Sequence, residues 1–249
     1  MSLLDSWTRG AHPADGVTHP TYRKGTGPGV ILIHEIPGLT PEVIGFGEEV
    51  VAAGFTVVMP QLFGRPEAGM TVGSTLGALR QVCVSAEFTK LSTGVTSPVA
   101  GWLRSLAREL HAELGGPGVG ALGMCFTGGF ALAMMVDPSV AAPVVAQPSI
   151  PFAIGRGRGA DVNLAPGDLG VVRRRAAAGC EVLGLRYRDD RATGTRFETL
   201  TRELGDRFLR VELDGKGHAT LTLNRQQEAV DRVLAFFEEK LRVGGPGAG

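Results

Sequence analysis

Val30, Ile31, Leu32 and Ile33 stand consecutively in the run GVILIHE, and a strand apolar on both alternating faces must be covered on both sides. Runs of the same kind recur at FTVVMP (55–60), VGALGM (119–124), AAPVVAQPS (141–149), EVLGLRYR (181–188) and RFLRVELD (207–214). Between them lie helix-like patterns. One starts near Thr40, which can cap it with Pro41 at the first helical position, and others span 75–88, 98–114, 168–178, 195–204 and 224–241. Trp102, Leu103, Leu106 and Leu110 share one face of the 98–114 helix, as do Val230, Val233, Leu234 and Phe237 in the last one. Six strands alternating with helices predict an α/β fold, a mostly parallel sheet with helices on both faces.

No internal repeat or composition break divides the chain, so residues 1–243 are expected to form a single domain. The terminal GGPGAG (244–249) can bury nothing and is expected to be a flexible tail. The amino-terminal stretch through His12 and His19 shows no periodicity and is expected to be irregular. The segment 61–96 is expected to be an excursion at the carboxyl edge of the sheet. The glycine-rich GTGPGV and GGPGVG both precede strands, whereas a dinucleotide fingerprint follows one, so they are expected to form turns.

Lys plus Arg and Asp plus Glu number 25 each, so no net field draws nucleic acid or anionic lipid. No run approaches the ~20 apolar residues that span a bilayer. Cys83, Cys125 and Cys180 show no zinc or redox spacing, so no metal site is predicted. Unpaired thiols suit a reducing compartment, and a cytoplasmic location is expected. Nothing in the sequence specifies an oligomeric state.

Cys125 is the residue that chemistry singles out. It lies between the buried run GALGM and the small, apolar TGGFALAMM, the layout of a strand-to-helix elbow that lifts a nucleophile above a sheet. Gly123 fits the position two before the nucleophile, while Thr127 occupies the position two after it, where glycine is usual. The bland alternative is a small buried hydrophobe. At a helix amino terminus, however, unpaired backbone N–H groups favour a thiolate, and the Phe126 N–H can receive an oxyanion. A base and an orienting acid are placed in the order that this fold requires, with Asp189 and Asp190 after the fifth run and His218 after the sixth. Glu35, after the first run, faces the same sheet edge. His34 adjoins it, and His111 sits in a helix rich in charged residues.

With HEIPGL, GMCFTGG, the two aspartates and GKGHA in place, the chain resembles the dienelactone hydrolase family of α/β hydrolases from about Gly29 to Leu241. The resemblance implies an α/β-hydrolase fold and hydrolysis of a small ester or lactone, with no metal or organic cofactor. It implies Cys125 as nucleophile, His218 as base, Asp190 rather than Asp189 as triad acid, and Glu35 as the group that takes the thiol proton. It also implies an oxyanion hole from the N–H groups of Ile36 and Phe126. For the members that open dienelactone, the resemblance implies arginines that hold the substrate carboxylate. One of them lies four residues after the triad histidine, where this chain has Thr222, and Arg80 or Arg65 is the candidate for another. Thr127, Asp189 and Thr222 motivate the alternative, a catalytically degenerate member that binds a ligand or partner without turnover. A redox role for the three cysteines has no support in their spacing.

Overall fold

A computed structural model describes residues 2–88, 92–153 and 156–242, apart from the Arg156 side chain; the expected tail at 244–249 lies outside the described residues. In chain order the elements are β1 (Thr8–Ala14), β2 (Val17–Lys24), β3 (Gly29–Ile33), α1 (Pro41–Ala52), β4 (Thr56–Pro60) and α2 (Val72–Val84). They continue with α3 (Val99–Leu114), β5 (Val119–Met124), α4 (Gly128–Met134), β6 (Val140–Ala146) and α5 (Arg156–Ala160). The last are α6 (Pro166–Ala177), β7 (Val182–Tyr187), α7 (Arg196–Leu204), β8 (Phe208–Leu213) and α8 (Gln227–Leu241).

The strands form one sheet in the order β1-β2-β4-β3-β5-β6-β7-β8. From β4 through β8 every neighbouring pair is parallel, and the β1–β2 hairpin adds to β4 antiparallel. Alternation along β3 divides the core. Val30 and Leu32 pack on the side of α1 and α8, with Phe46, Val50, Val233 and Phe237. Ile31 and Ile33 pack on the opposite side, with Trp102, Leu103 and Leu106 of α3 and Phe130 of α4. This is the mostly parallel sheet with helices on both faces that the apolar runs require.

The amino terminus departs from the irregular segment expected. His12 and His19 face each other across the β1–β2 register, both buried, with their rings edge-on to Trp102 at centroid distances of 5.1 and 4.9 Å. Glu109 and Ser105 partner His12, and Glu87 partners His19. Pro13, Pro20 and Gly10 obscure the strand pattern, and polar His12, His19 and Thr21 occupy buried positions beside Tyr22. The sheet therefore has eight strands where six are expected.

The glycine-rich turn before β3 behaves as predicted, with Gly25 and Gly27 at φ of 94° and 102°. A Cβ on Gly27 would stand 2.3 Å from the Gly54 carbonyl oxygen. The α2 helix starts earlier than the expected 75–88 because Thr71 and Ser74 form a reciprocal cap. No helix among the described residues is long and apolar enough to cross a membrane.

Candidate active site

Four parallel strands deliver their following turns to one edge of the sheet. Glu35 follows β3, Cys125 follows β5, Gln147 to Ser149 follow β6, and Asp190 follows β7; His218 comes from the loop after β8.

Cys125 occupies a left-handed backbone conformation, φ 52°, that a non-glycine residue adopts at a cost of about 1–3 kcal/mol. The surrounding packing holds it there. Gly123 lets the chain fold back so closely that a Cβ would lie 2.2 Å from the Thr127 carbonyl oxygen. Gly128 admits Pro148, whose Cα would stand 2.7 Å from an added Cβ. A single 3-10 turn, Cys125–Thr127, leads into α4.

Thr127 is the departure from the usual elbow, and its side chain accounts for its presence. Its Oγ1 accepts from the Met124 N–H at 3.0 Å and lies 3.0–3.2 Å from the carbonyl oxygens of Met124, Ile33 and His34. The fully buried hydroxyl thereby ties the Cys125 turn to the turn carrying Glu35 and Ile36. The two residues expected to supply oxyanion N–H groups, Ile36 and Phe126, sit on these two joined turns. Half-buried Ile36, Cys125 and Phe152 pack against an apolar cluster that includes Phe63, Phe88, Phe126 and Phe130.

The His218 Nδ1 lies 2.8 Å from the Asp190 Oδ2. Asp190 is also held by the Thr193 hydroxyl at 2.7 Å and the Ala192 N–H at 2.9 Å. Burial opposes its charge, but the His218 hydrogen bond and charge, aided by Thr193 and Ala192, hold its pKa below the usual value. Asp189 points into solvent. The choice between the two aspartates is thus one of geometry, and Asp190 is the residue brought to the histidine.

Burial would lower the His218 pKa, but the Asp190 hydrogen bond and the hydrogen bond and charge of Cys125 outweigh it and hold the imidazole well above its ordinary value. Its loop is fixed by Asn224, whose Oδ1 accepts from the His218 N–H at 3.0 Å.

Glu35 is buried, with 3% of its surface exposed, and burial pushes its carboxyl pKa up against the opposing effects of Thr222, His218 and Gln147. The Thr222 hydroxyl donates to Glu35 Oε1, so the residue at the expected arginine position is the hydrogen-bond partner of the glutamate. Thr220, from the same loop, donates to Gln147 Oε1 at 2.7 Å.

His34 plays a different part. Its Nδ1 faces the Glu35 carbonyl oxygen at 3.0 Å, its Nε2 accepts from the Leu62 N–H at 3.0 Å, and burial lowers its pKa to about 4. It is a neutral structural histidine.

Several contributors carry no signal of their own in the sequence. Ser149 is buried, with its Oγ 3.4 Å from the Cys125 Sγ. Arg196 is fully buried, and its guanidinium donates to the carbonyl oxygens of Pro148 and Pro151 after β6 and of Ala192 and Thr193 beside Asp190. Burial lowers its pKa to about 10, which still leaves a cation at neutral pH. One side chain thus braces the loop behind Cys125 and the loop of Asp190.

The candidate substrate arginines are placed differently from each other. Arg65 lines a cleft of about 400 Å³ with Gly73, Gly77 and Gln81. Arg80 is exposed on α2, on the side away from the buried Ala78 and Val82. Neither is hydrogen-bonded to the Cys125, His218 and Asp190 group. Among the described residues, no group of three or more His, Cys, Asp or Glu side chains is placed to share a metal ion.

Comparison with known proteins places the chain and its fold. The family model described as "Dienelactone hydrolase family" matches residues 16–154. The fold is similar to that of a dienelactone hydrolase from Anabaena variabilis, at TM-score 0.66 and 16% identity over 95% of this chain and 98% of that one. It is equally similar to a dienelactone hydrolase-like promiscuous phosphotriesterase from metagenomic libraries, at TM-score 0.66 and 15% identity over 95% and 98%. A cold-adapted esterase from an Arctic intertidal metagenomic library superposes at TM-score 0.61, with 16% identity over 96% of each chain. These likenesses give the α/β-hydrolase fold. No curated protein matches the chain by sequence.

Proposed function

Because the chain belongs to the dienelactone hydrolase family, we propose that it hydrolyses a small ester or lactone by acyl transfer through Cys125, His218 and Asp190. The observation that carries the reading is the meeting of His218, held by Asp190 at 2.8 Å, with the Cys125 turn at one sheet edge, where the sulfur is near enough to raise the imidazole pKa. The strained turn presents the thiol at the sheet edge, as a nucleophile requires.

The Cys125 thiolate attacks the carbonyl carbon, and the carbonyl π pair moves onto oxygen, where the N–H groups of Ile36 and Phe126 receive it. Collapse expels the alkoxide, which takes the proton from the His218 imidazolium, and leaves a thioester on Cys125. In a lactone the alcohol stays attached to the acyl chain. Water then gives a proton to neutral His218 as it attacks the thioester, and the carbon–sulfur bond breaks to return the thiolate. Asp190 holds the imidazole orientation and balances its charge in both halves. Glu35, whose burial favours the protonated form, is the group assigned to exchange a proton with the thiol.

Residues 1–243 act in this reading as a single catalytic domain, and a cytoplasmic setting suits a reduced nucleophilic thiol. Both arginines are exposed; Arg65 is the better candidate for a substrate carboxylate because it borders a cleft, although that cleft is lined by none of Cys125, His218, Asp190 and Glu35.

The test is hydrolysis of a short activated ester, an unsubstituted lactone and a carboxylated dienelactone by wild type and Cys125→Ala, with intact-mass detection of an acyl adduct. Loss of activity and adduct together in the variant is the expected result. Full activity in Cys125→Ala would reject the mechanism, and specific ligand binding without any turnover by wild type would favour the degenerate-member alternative.

A further inference from the structure

We infer that Ser149 is a further residue of the reaction, its hydroxyl being the donor that holds the Cys125 thiolate alongside His218. The inference rests on the reading of Cys125 as the nucleophile and adds a second, non-titrating donor to its sulfur.

The Ser149 Oγ lies 3.4 Å from the Cys125 Sγ, within the range of a sulfur hydrogen bond. The same residue is registered on the nucleophile by its backbone, since the Ser149 N–H donates to the Cys125 carbonyl oxygen at 3.0 Å. With 6% of its surface exposed, Ser149 has little water as an alternative partner. Its position is braced from behind, because Arg196 holds the carbonyl oxygens of Pro148 and Pro151 on either side of it. A donor fixed in this way needs no reorganisation when charge develops on its partner.

Proton chemistry gives the contact its direction. While Cys125 carries its proton, either atom can donate. Once the sulfur is ionised, only the serine hydroxyl can, and hydrogen bonds to an ionised acceptor are the stronger kind. The contact therefore favours the thiolate over the thiol.

The reaction cycle gives it a purpose. His218 must leave the sulfur to deliver its proton to the departing alkoxide, and it is then occupied with water during thioester hydrolysis. The sulfur that re-forms as a thiolate at the end of that step needs a donor which has not been spent. Ser149 has no proton to lose near neutral pH, so it remains available throughout.

The experiment is the pH dependence of Cys125 alkylation by iodoacetamide, resolved by peptide mass so that Cys83 and Cys180 are counted separately. Two pairs that differ by a hydroxyl are compared, Ser149 with Ser149→Ala and Ser149→Thr with Ser149→Val. Losing a donor to a charged sulfur is expected to slow alkylation roughly three- to tenfold below the midpoint and to move the midpoint up by about half to one pH unit. Shifts in the Ala and Val variants, with the wild-type profile kept in Thr, support the inference. Profiles that overlay wild type in Ala and Val, or a Thr variant as shifted as Val, overturn it. Alkylation requires no turnover, so an unshifted profile overturns the role of Ser149 even where Cys125→Ala abolishes hydrolysis. Undiminished hydrolysis by Cys125→Ala would instead overturn the nucleophile reading, by a separate measurement.

Discussion

The Asp190 Oδ2 lies 2.8 Å from the His218 Nδ1, while Asp189, the preceding residue, is exposed to solvent. Tyr187 accepts from the Asp190 N–H at 3.1 Å, which curls the chain at the end of β7 and turns the two carboxylates apart. Asp190→Asn is expected to lower kcat by about 10³–10⁴, because an amide cannot hold the required tautomer or balance the imidazolium. Asp189→Asn is expected to stay within twofold of wild type. Steady-state kinetics of the two variants on one activated ester checks this, and equal losses would mean that the acid is misassigned.

Thr127 substitutes a side-chain hydrogen bond for the glycine usual at its position. Thr127→Val preserves shape but strands the buried Met124 N–H and the carbonyl oxygen that the hydroxyl serves. Stability should fall by about 2 kcal/mol, measured by urea unfolding. Activity should fall as well, since the two turns that carry Ile36 and Phe126 lose their tie. A variant as stable and active as wild type would show that the hydroxyl is dispensable.

These two residues also illustrate what the linear chain discloses. The β3 and β5 strands are legible because apolar side chains fill both faces, and Cys125 and His218 because each lies just beyond such a run. The β1–β2 hairpin is not, since Thr8, Arg9, Gly10 and Ala11 are exposed and most of the buried positions carry polar side chains, His12, His19 and Thr21. Ser149, Gln147 and Arg196 belong to the site only through contacts with residues distant in the chain, such as Arg196 with Pro148, 48 positions away. Thr222 is visible in sequence as a missing arginine, but its bond to Glu35, across 187 residues, is a property of the fold alone.

Arg65 and Arg80 are both exposed, but only Arg65 borders a cleft, and substrates with and without a carboxylate should separate them. Arg65→Ala is expected to raise KM for a carboxylated lactone about tenfold, the loss of a charge-assisted hydrogen bond, with little effect on an uncharged ester. Arg80→Ala is expected to alter neither. Equal KM values for both substrates in wild type and Arg65→Ala would remove Arg65 from substrate binding.

Glu35 supplies a pH dependence whose sign follows from burial. Its carboxyl pKa is raised in the folded protein above the ordinary value of 4.5. Below that value the group is protonated in both folded and unfolded chains and contributes no pH dependence. As pH rises, the unfolded chain ionises first while the folded one still retains the proton, so the wild type loses stability until Glu35 itself ionises in the fold. Glu35→Gln keeps an oxygen for the Thr222 hydroxyl and removes the titration. The variant should therefore gain on wild type as pH rises above 4.5, by about 1.4 kcal/mol for each unit that the folded pKa is raised, and the difference should level off beyond it. Urea midpoints of both proteins at pH 5, 7 and 9 (roughly evenly spaced across the window) check the prediction. A difference independent of pH would show that Glu35 ionises as easily in the fold as in water, and its assignment as the proton-holding partner of the thiol would fall with it.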